Sequence, residues 1–263
     1  MSAVSTTDST RRFPGGVPSR IGFRAAILVV LLLSWWWIVA MARDMYGAMD
    51  GPSAWMMTSV WDVPHLLLLW SMWAVMMAAM MLPSAWPMLS MYGTFADKQP
   101  SSPRHAAPLY LFAGGYVLVW AAFSVLATIV QRLLASWLVL SPMMVLTSPR
   151  ASAALLTLAG VYQVTPLKQM CLRQCRSPIT ALAERWREGT AGAFQMGVAH
   201  GLYCLGCCWA LMLLLFAGGV MNLVVILSLT GWVAIEKLAP FGRQSARAGG
   251  VLLLTAGIWM LTR

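Results

Sequence analysis

Residues 196–208 combine a thioether, an imidazole and three thiols in a stretch that is otherwise apolar. At about 100° per residue of an α-helix, several of these side chains share one face. They are Met196, His200, Cys204 and Cys207, with Cys208 beside them. Soft ligands of this kind select Cu(I), and thiolates and imidazole also bind Zn(II). The stretch therefore predicts a metal site, with close packing of small cysteine and glycine residues as the alternative.

Methionine is concentrated between residues 72 and 91, where Met72, Met76 and Met80 repeat at i, i+4 and i+8. The run that we consider as candidate ligands is Met76, Met77, Met80 and Met81. Thioether sulfur is a soft, polarizable ligand suited to Cu(I). Because the chain holds 20 methionines, ordinary packing is the alternative interpretation.

Cys171 and Cys175 lie in the most basic segment of the chain, residues 168–176. If this segment is helical, the Cys-x3-Cys spacing brings both sulfurs to one face, where they could hold a metal or form a redox pair. The nearby Lys and Arg residues are expected to lower the pKa of both thiols. The alternative is a pair of free thiols in a basic loop, since a reducing cytosol disfavours a permanent disulfide.

Glu236 is the carboxylate that lies most clearly inside an apolar segment, next to Lys237. Ionisable residues at such positions are functional candidates. One interpretation is an interfacial ion pair between these two neighbours, and the other is a proton-linked or cation-binding carboxylate. Tyr162, Gln163 and His200 are expected at a similar depth, and they converge with Glu236 if their helices pack together.

The composition indicates which elements must position these residues. Of 263 residues, 60% are hydrophobic and 10% are charged, whereas soluble chains carry about 25% charged residues. The mean hydropathy is +0.73. These values exclude a disordered chain and an ordinary soluble enzyme, and they predict an all-α, polytopic transmembrane helix bundle. The net charge of +10 is explained by membrane topology rather than by nucleic acid.

Seven apolar segments are predicted to span the membrane as helices, since about 20 apolar residues cross the hydrocarbon core. They are residues 24–42, 65–91, 108–131, 151–167, 191–217, 221–239 and 246–262. The second contains Pro83 and Pro87, which predict a kink or an early end. The first resembles a signal peptide but is longer than a signal core of about 7–15 residues, so we interpret it as a retained span.

The remaining segments are short. Residues 1–22 are predicted to be a disordered cytoplasmic tail, and residues 23–263 to form a single transmembrane domain. Residues 97–107 are predicted to form a linker. Residues 177–190 are predicted to form an amphipathic interfacial helix that ends at Gly189. Lys and Arg are concentrated in segments on the same side as the N-terminus, which places the N-terminus in the cytoplasm.

Four runs together resemble a bacterial family catalogued as predicted metal-binding integral membrane proteins, a domain of unknown function. The runs are MMAAMMLP (76–83), AGVYQVTPLK (159–168), CLRQC (171–175) and HGLYCLGCCW (200–209). The resemblance extends from about residue 20 to residue 262. It implies a multi-pass protein of the bacterial inner membrane. The positions that it marks for metal binding are the methionine run, Gln163, Cys171, Cys175, His200, Cys204, Cys207, Cys208 and Glu236.

Three functions follow as hypotheses. The first is a membrane protein that binds and transports or handles a soft transition metal, with copper favoured over zinc. The second is a thiol-redox membrane protein, and the third is a non-catalytic membrane subunit or assembly factor. Catalysis is the least favoured class, and no catalytic residue is assigned. The expected partners are membrane lipids and a metal chaperone or membrane-complex subunit, with no nucleic acid.

Overall fold

The computed structural model of the protein is helical in almost all of its described part. The described residues are 17–47, 50–56, 61–96, 107–137, 139–141 and 143–262. They contain no β-strand, which confirms the all-α class for this part of the chain. The helices are α1 (Val17–Met45), α2 (Pro52–Met56), α3 (Val63–Ala96), α4 (Ala107–Ser136), α5 (Pro149–Val164), α6 (Pro166–Arg176), α7 (Pro178–Glu184), α8 (Gly189–Leu213), α9 (Leu215–Gly218), α10 (Leu223–Leu238) and α11 (Gly242–Leu261).

Each of the seven apolar segments coincides with a helix, namely α1, α3, α4, α5, α8, α10 and α11. Among the described residues, four stretches are long and apolar enough to cross a membrane. They are Ile21–Met45, Val63–Ala96, Ala107–Ser136 and Gly189–Gly218. α5 and α10 have 16 residues each, and α11 begins with a polar turn, so these three helices fall below the same criteria.

The helix α3 continues through Pro83 and Pro87 to Ala96, so the predicted early end is wrong. Near these prolines, the Met81 carbonyl accepts hydrogen bonds from the Ser84 hydroxyl, at 2.9 Å, and from the Tyr116 hydroxyl of α4, at 3.2 Å. The methionine run and the residues after it therefore lie on one long helix.

Several segment boundaries differ from the sequence prediction. The helix α7, within the segment predicted to be interfacial, ends at Glu184, and Gly189 begins α8 with a φ of +76° instead of ending the preceding helix. α1 begins at Val17, within the segment predicted to be a disordered tail. The rest of that tail, residues 1–16, and residues 97–106 of the predicted linker lie outside the described residues.

Pro166, near the end of the fourth apolar segment, separates α5 from the basic helix α6. Proline lacks the N–H that would continue α5, and it disfavours helical geometry at the preceding residue. Thr165 is accordingly extended, and its hydroxyl accepts a hydrogen bond from the Lys168 N–H at 3.3 Å, which caps α6. The change of direction lays Cys171 and Cys175 of α6 against α8.

The helices α4 and α8 pack with their backbones in close contact. A Cβ atom added at Gly197 of α8 would overlap the Phe112 carbonyl oxygen of α4, and one added at Gly115 of α4 would overlap the Phe194 carbonyl oxygen. Small residues allow this close approach between apolar helices. The crossing fixes α8 with its thiol face towards α3, α6 and α10.

We expect Gly197→Ala to lower the free energy of unfolding in detergent by about 1–3 kcal/mol, because the added methyl group must push α4 and α8 apart. Gly114→Ala is the matched control, since a Cβ at Gly114 meets nothing within 4 Å. Denaturant titration followed by circular dichroism measures both changes. Equal effects of the two substitutions would contradict the close crossing.

Candidate metal centre

The thiols of α8 lie in the interior of the helix bundle. Cys204, Cys207 and Cys208 are each 1% exposed. Cysteine is a small apolar residue when it packs alone, but these three side chains contact polar and sulfur-containing side chains of four other helices. Apolar packing alone therefore does not account for these three cysteines.

Cys204 lies between a phenol and an ammonium group. Its Sγ is 3.1 Å from the Tyr116 hydroxyl of α4 and 2.9 Å from Lys237 Nζ of α10. The same Nζ donates to Ser84 Oγ at 3.2 Å and lies 4.0 Å from Met81 Sδ, both on α3. Lys237 is buried, so its positive charge is held among sulfur and hydroxyl groups.

Further sulfur atoms approach from two neighbouring helices. Cys175 Sγ of α6 lies 3.9 Å from Cys207 Sγ, and Met81 Sδ of α3 lies 3.7 Å from Cys208 Sγ. Sulfur from α3, α6 and α8 thus meets in one buried region. We call Met81, Cys175, Cys204, Cys207 and Cys208 the sulfur cluster.

Two thiols of the sulfur cluster are turned towards backbone. Cys207 and Cys208 both donate to the Cys204 carbonyl oxygen, at 3.1 and 2.8 Å. In the described residues, no three His, Cys, Asp or Glu side chains already surround one point as metal ligands. A bound ion would need these thiols to rotate away from the carbonyl and lose their protons.

Cys171 lies beside the sulfur cluster and contacts backbone. A Cβ atom added at Gly206 would be 2.7 Å from Cys171 Sγ, so this sulfur sits directly over the glycine. Burial raises the pKa of the Cys171 thiol, and Cys207 raises it further. The expectation that basic neighbours lower this pKa is therefore wrong, because the thiol faces α8 and not the Arg side chains.

The methionine run is completely buried, since Met76, Met77, Met80 and Met81 have no exposed surface. Met81 is the member whose sulfur reaches the thiols in the described part of the chain. The other members belong to the packed core. The position of Met81 is consistent with a ligand role. The positions of Met76, Met77 and Met80 are consistent with packing.

Met196 and His200 lie on the same face of α8 as the thiols but in different surroundings. Both line a cavity of about 420 Å³ between α8, α7 and α3. The His200 ring stacks on Tyr116, with 5.6 Å between the ring centroids. The sequence predicts one site on this face of α8. In the structure, Met196 and His200 line the cavity, and the cysteines belong to the sulfur cluster.

Glu236 is the centre of a second polar cluster, together with Gln163 as the sequence suggested. Its carboxylate accepts from Lys168 Nζ at 2.6 Å, Gln163 Nε2 at 2.8 Å and Trp232 Nε1 at 2.8 Å. The side chains of Lys168 and Glu236 are 0% and 2% exposed. The expected interfacial pair with Lys237 is wrong, because Glu236 binds Lys168 and Lys237 faces the thiols.

Tyr162, which was expected near Gln163 and Glu236, contacts α8 instead. Its hydroxyl donates to the Gly206 carbonyl oxygen, and its ring meets Trp209 edge to face at 5.0 Å between centroids. Tyr162 therefore braces α5 against the helix that carries the thiols, close to Cys171 and away from the Glu236 carboxylate.

Comparison with known proteins identifies the family. Residues 70–260 match the protein family described as PpoB2, copper chaperone. The chain belongs to this copper chaperone family. The match covers almost three quarters of the chain and includes both polar clusters. Comparison with curated proteins and with solved structures found no match. Family membership makes copper handling the functional class, in agreement with the metal binding that the sequence motifs imply.

Two residues of this copper chaperone were absent from the candidate set taken from the sequence. Lys237 was considered as an ion-pair partner and Tyr116 was not considered, yet both contact Cys204. A signal for Lys237 was present, because a lysine inside an apolar helix is costly unless it has partners. Tyr116 carried no such signal, since tyrosine is common in apolar helices.

Proposed function

We propose that this copper chaperone is an integral membrane protein that binds Cu(I) in the sulfur cluster and passes it to a partner. The observation that carries the proposal is the meeting of sulfur from three helices in one buried region, with Sγ–Sγ and Sγ–Sδ distances of 3.9 and 3.7 Å. Thiolate and thioether ligands together favour Cu(I) over harder ions. Zinc is less well suited, because its usual protein ligands do not include thioether.

The charge of the surroundings supports a thiolate-bound monovalent ion. Two thiolates and one Cu(I) carry a net charge of −1, which is costly to bury without a counter-charge. The buried ammonium of Lys237, 2.9 Å from Cys204 Sγ, supplies that counter-charge. Cu(I), two thiolates and Lys237 are together neutral, and the Met81 thioether adds a ligand without adding charge.

The membrane topology that fits this proposal has seven spans. Within the part of the chain that the structure describes, four helices meet the length and apolarity of a span, and α5, α10 and α11 complete the proposed bundle. The N-terminus is cytoplasmic, as the distribution of Lys and Arg predicts. The protein then resides in the bacterial inner membrane, in contact with lipids, and exchanges copper with a soluble chaperone or a membrane-complex subunit.

The test is the metal content of the full-length protein, purified in detergent and loaded anaerobically with Cu(I). We expect about one copper per chain after desalting, with no displacement by a tenfold excess of Zn(II). A protein that retains no copper would contradict the proposal. If its five cysteines can also be replaced without loss of cellular function, the assembly-factor hypothesis is favoured.

A thiol-redox function is the second candidate, because Cys175 and Cys207 are 3.9 Å apart. A disulfide between them would require the two sulfurs to approach to the bonding distance of about 2.05 Å. Mass-shift alkylation after mild oxidation and after reduction distinguishes the two functions. A reversible Cys175–Cys207 disulfide in a protein that binds no copper would favour the redox function.

Met81 offers a test of a single ligand. We expect Met81→Leu to weaken Cu(I) binding by about tenfold, comparable to the loss of a supporting group at other metal sites. Met77→Leu is the matched control, because Met77 is equally buried on α3 but does not contact the thiols. Competition with a chromogenic Cu(I) chelator measures both affinities. Equal affinities of the two variants would remove Met81 from the ligand set.

A further inference from the structure

The cavity of about 420 Å³ beside α8 has a buried side and an exposed side with different chemistry. On the buried side, Met88, Met196 and His200 are only 5–7% exposed. On the exposed side, Arg185 and Arg187 of the segment that joins α7 to α8 line the opening. Its volume is within the range of about 300–1,000 Å³ that accommodates small molecules.

The buried side presents soft metal-ligating groups that make few hydrogen bonds to other side chains. Neither ring nitrogen of His200 has a hydrogen-bond partner in the described part of the chain, and the ring is held by stacking on Phe112 and Tyr116 at 6.2 and 5.6 Å. Among the described residues, Met196 Sδ accepts a hydrogen bond only from the Arg187 backbone N–H, at 3.3 Å. Two thioethers and an imidazole are a suitable ligand set for Cu(I).

The exposed side carries positive charge that is not neutralised by ion pairs. Arg185 donates to the Tyr203 hydroxyl and Arg187 to the Gln195 side-chain oxygen, and both acceptors are uncharged. Within the described residues, the one ion pair between side chains is Lys168–Glu236, away from this cavity. The lining holds two guanidinium groups and one carboxylate, that of Glu184, while the carboxylate of Glu188 follows Arg187 in the chain outside the lining. The lining thus carries one net positive charge, which favours an anion over a free cation.

We infer that the cavity receives Cu(I) as a small anionic thiolate complex. This inference rests on the proposed function and adds the form in which the metal arrives. Arg185 and Arg187 bind the negative groups of the carrier, and the soft donors on the buried side accept the metal. Each carrier thiolate leaves as its Cu–S bond breaks and a bond from copper to Met196 or His200 forms. Copper remains Cu(I), no electron is transferred, and the carrier leaves as a thiolate.

The route from the cavity to the sulfur cluster is short. His200 and Cys204 are one turn apart on α8, a rise of about 6 Å. Tyr116 touches both, since its ring stacks on His200 and its hydroxyl lies 3.1 Å from Cys204 Sγ. Ligand exchange along this face of α8 would move the ion from the open cavity to the buried sulfur cluster.

The experiment compares the rate of copper loading from two Cu(I)–thiolate complexes that differ in charge. The anionic donor is Cu(I)–glutathione and the cationic donor is Cu(I)–cysteamine, both under anaerobic conditions, with rapid desalting and elemental analysis of the full-length protein. We expect Arg185→Gln with Arg187→Gln to slow loading from glutathione about tenfold. Loading from cysteamine should be unchanged or faster in the same variant.

Arg173→Gln is the control for charge removal, since Arg173 is exposed in the same basic region but does not line the cavity. The intact protein provides a second readout, because its loading rate from Cu(I)–glutathione should fall with added salt while that from Cu(I)–cysteamine should not. Copper retained at rates independent of donor charge would overturn this inference alone. Absence of retained copper from both donors would overturn the proposed function and, with it, this inference.

Discussion

Replacing Cys204 and Cys207 together by serine is expected to weaken Cu(I) binding by more than about a hundredfold. Loss of an outer supporting group at a metal site costs about 10- to 100-fold in affinity, and here two thiolate ligands are removed. The serine hydroxyls are hard donors that Cu(I) does not favour. Competition with a Cu(I) chelator, together with elemental analysis after desalting, measures the loss.

The control for this prediction is Cys171→Ser. Cys171 Sγ faces the Gly206 backbone and is not part of the sulfur cluster, so this variant should bind copper with nearly the affinity of the unmodified chain. An equal loss in the control would contradict the specific role of the α8 thiols, because Cys171 is not part of the sulfur cluster. All three thiols are buried, so helicity is checked in each variant before affinities are compared.

Replacing Lys168 by methionine is expected to lower the free energy of unfolding by about 3–5 kcal/mol, the usual cost of leaving a buried charge without its partner. The Glu236 carboxylate would keep the Gln163 and Trp232 donors but lose the ammonium group at 2.6 Å. Denaturant titration in detergent micelles measures the change.

The double variant Lys168→Met with Glu236→Gln removes both charges and should recover most of that stability, because an uncharged buried pair carries no unpaired charge. Arg173→Gln serves as the control for loss of an exposed charge and should change the free energy of unfolding by less than about 0.5 kcal/mol. A double variant that is as unstable as Lys168→Met would show that the ion pair is not the cause.

The helical architecture could be predicted from the sequence because the signal for it is local. Apolar runs of sufficient length are read from neighbouring residues alone. The same holds for the shared face of the α8 thiols, which follows from helical periodicity. These features do not depend on which helices become neighbours. The fourth predicted span, residues 151–167, nevertheless runs across Pro166, which begins α6.

The partners of the candidate residues could not be predicted in the same way, because they depend on packing between distant segments. His200 lines the cavity together with residues of α7, whereas Cys204 contacts Lys237 of α10. The wrong pairing of Glu236 with Lys237 was avoidable. Adjacent residues on a helix point about 100° apart and do not face each other, whereas Trp232, four residues from Glu236, does contact it.

X-ray absorption at the copper edge of the Cu(I)-loaded, full-length protein tests most directly whether copper is held by the sulfur cluster. We predict that the nearest neighbours of copper are sulfur atoms, and that this sulfur signal is lost in the Cys204→Ser, Cys207→Ser variant. A copper ion surrounded by nitrogen or oxygen, or a sulfur signal that is unchanged in the variant, would contradict the assignment of the sulfur cluster as the copper site.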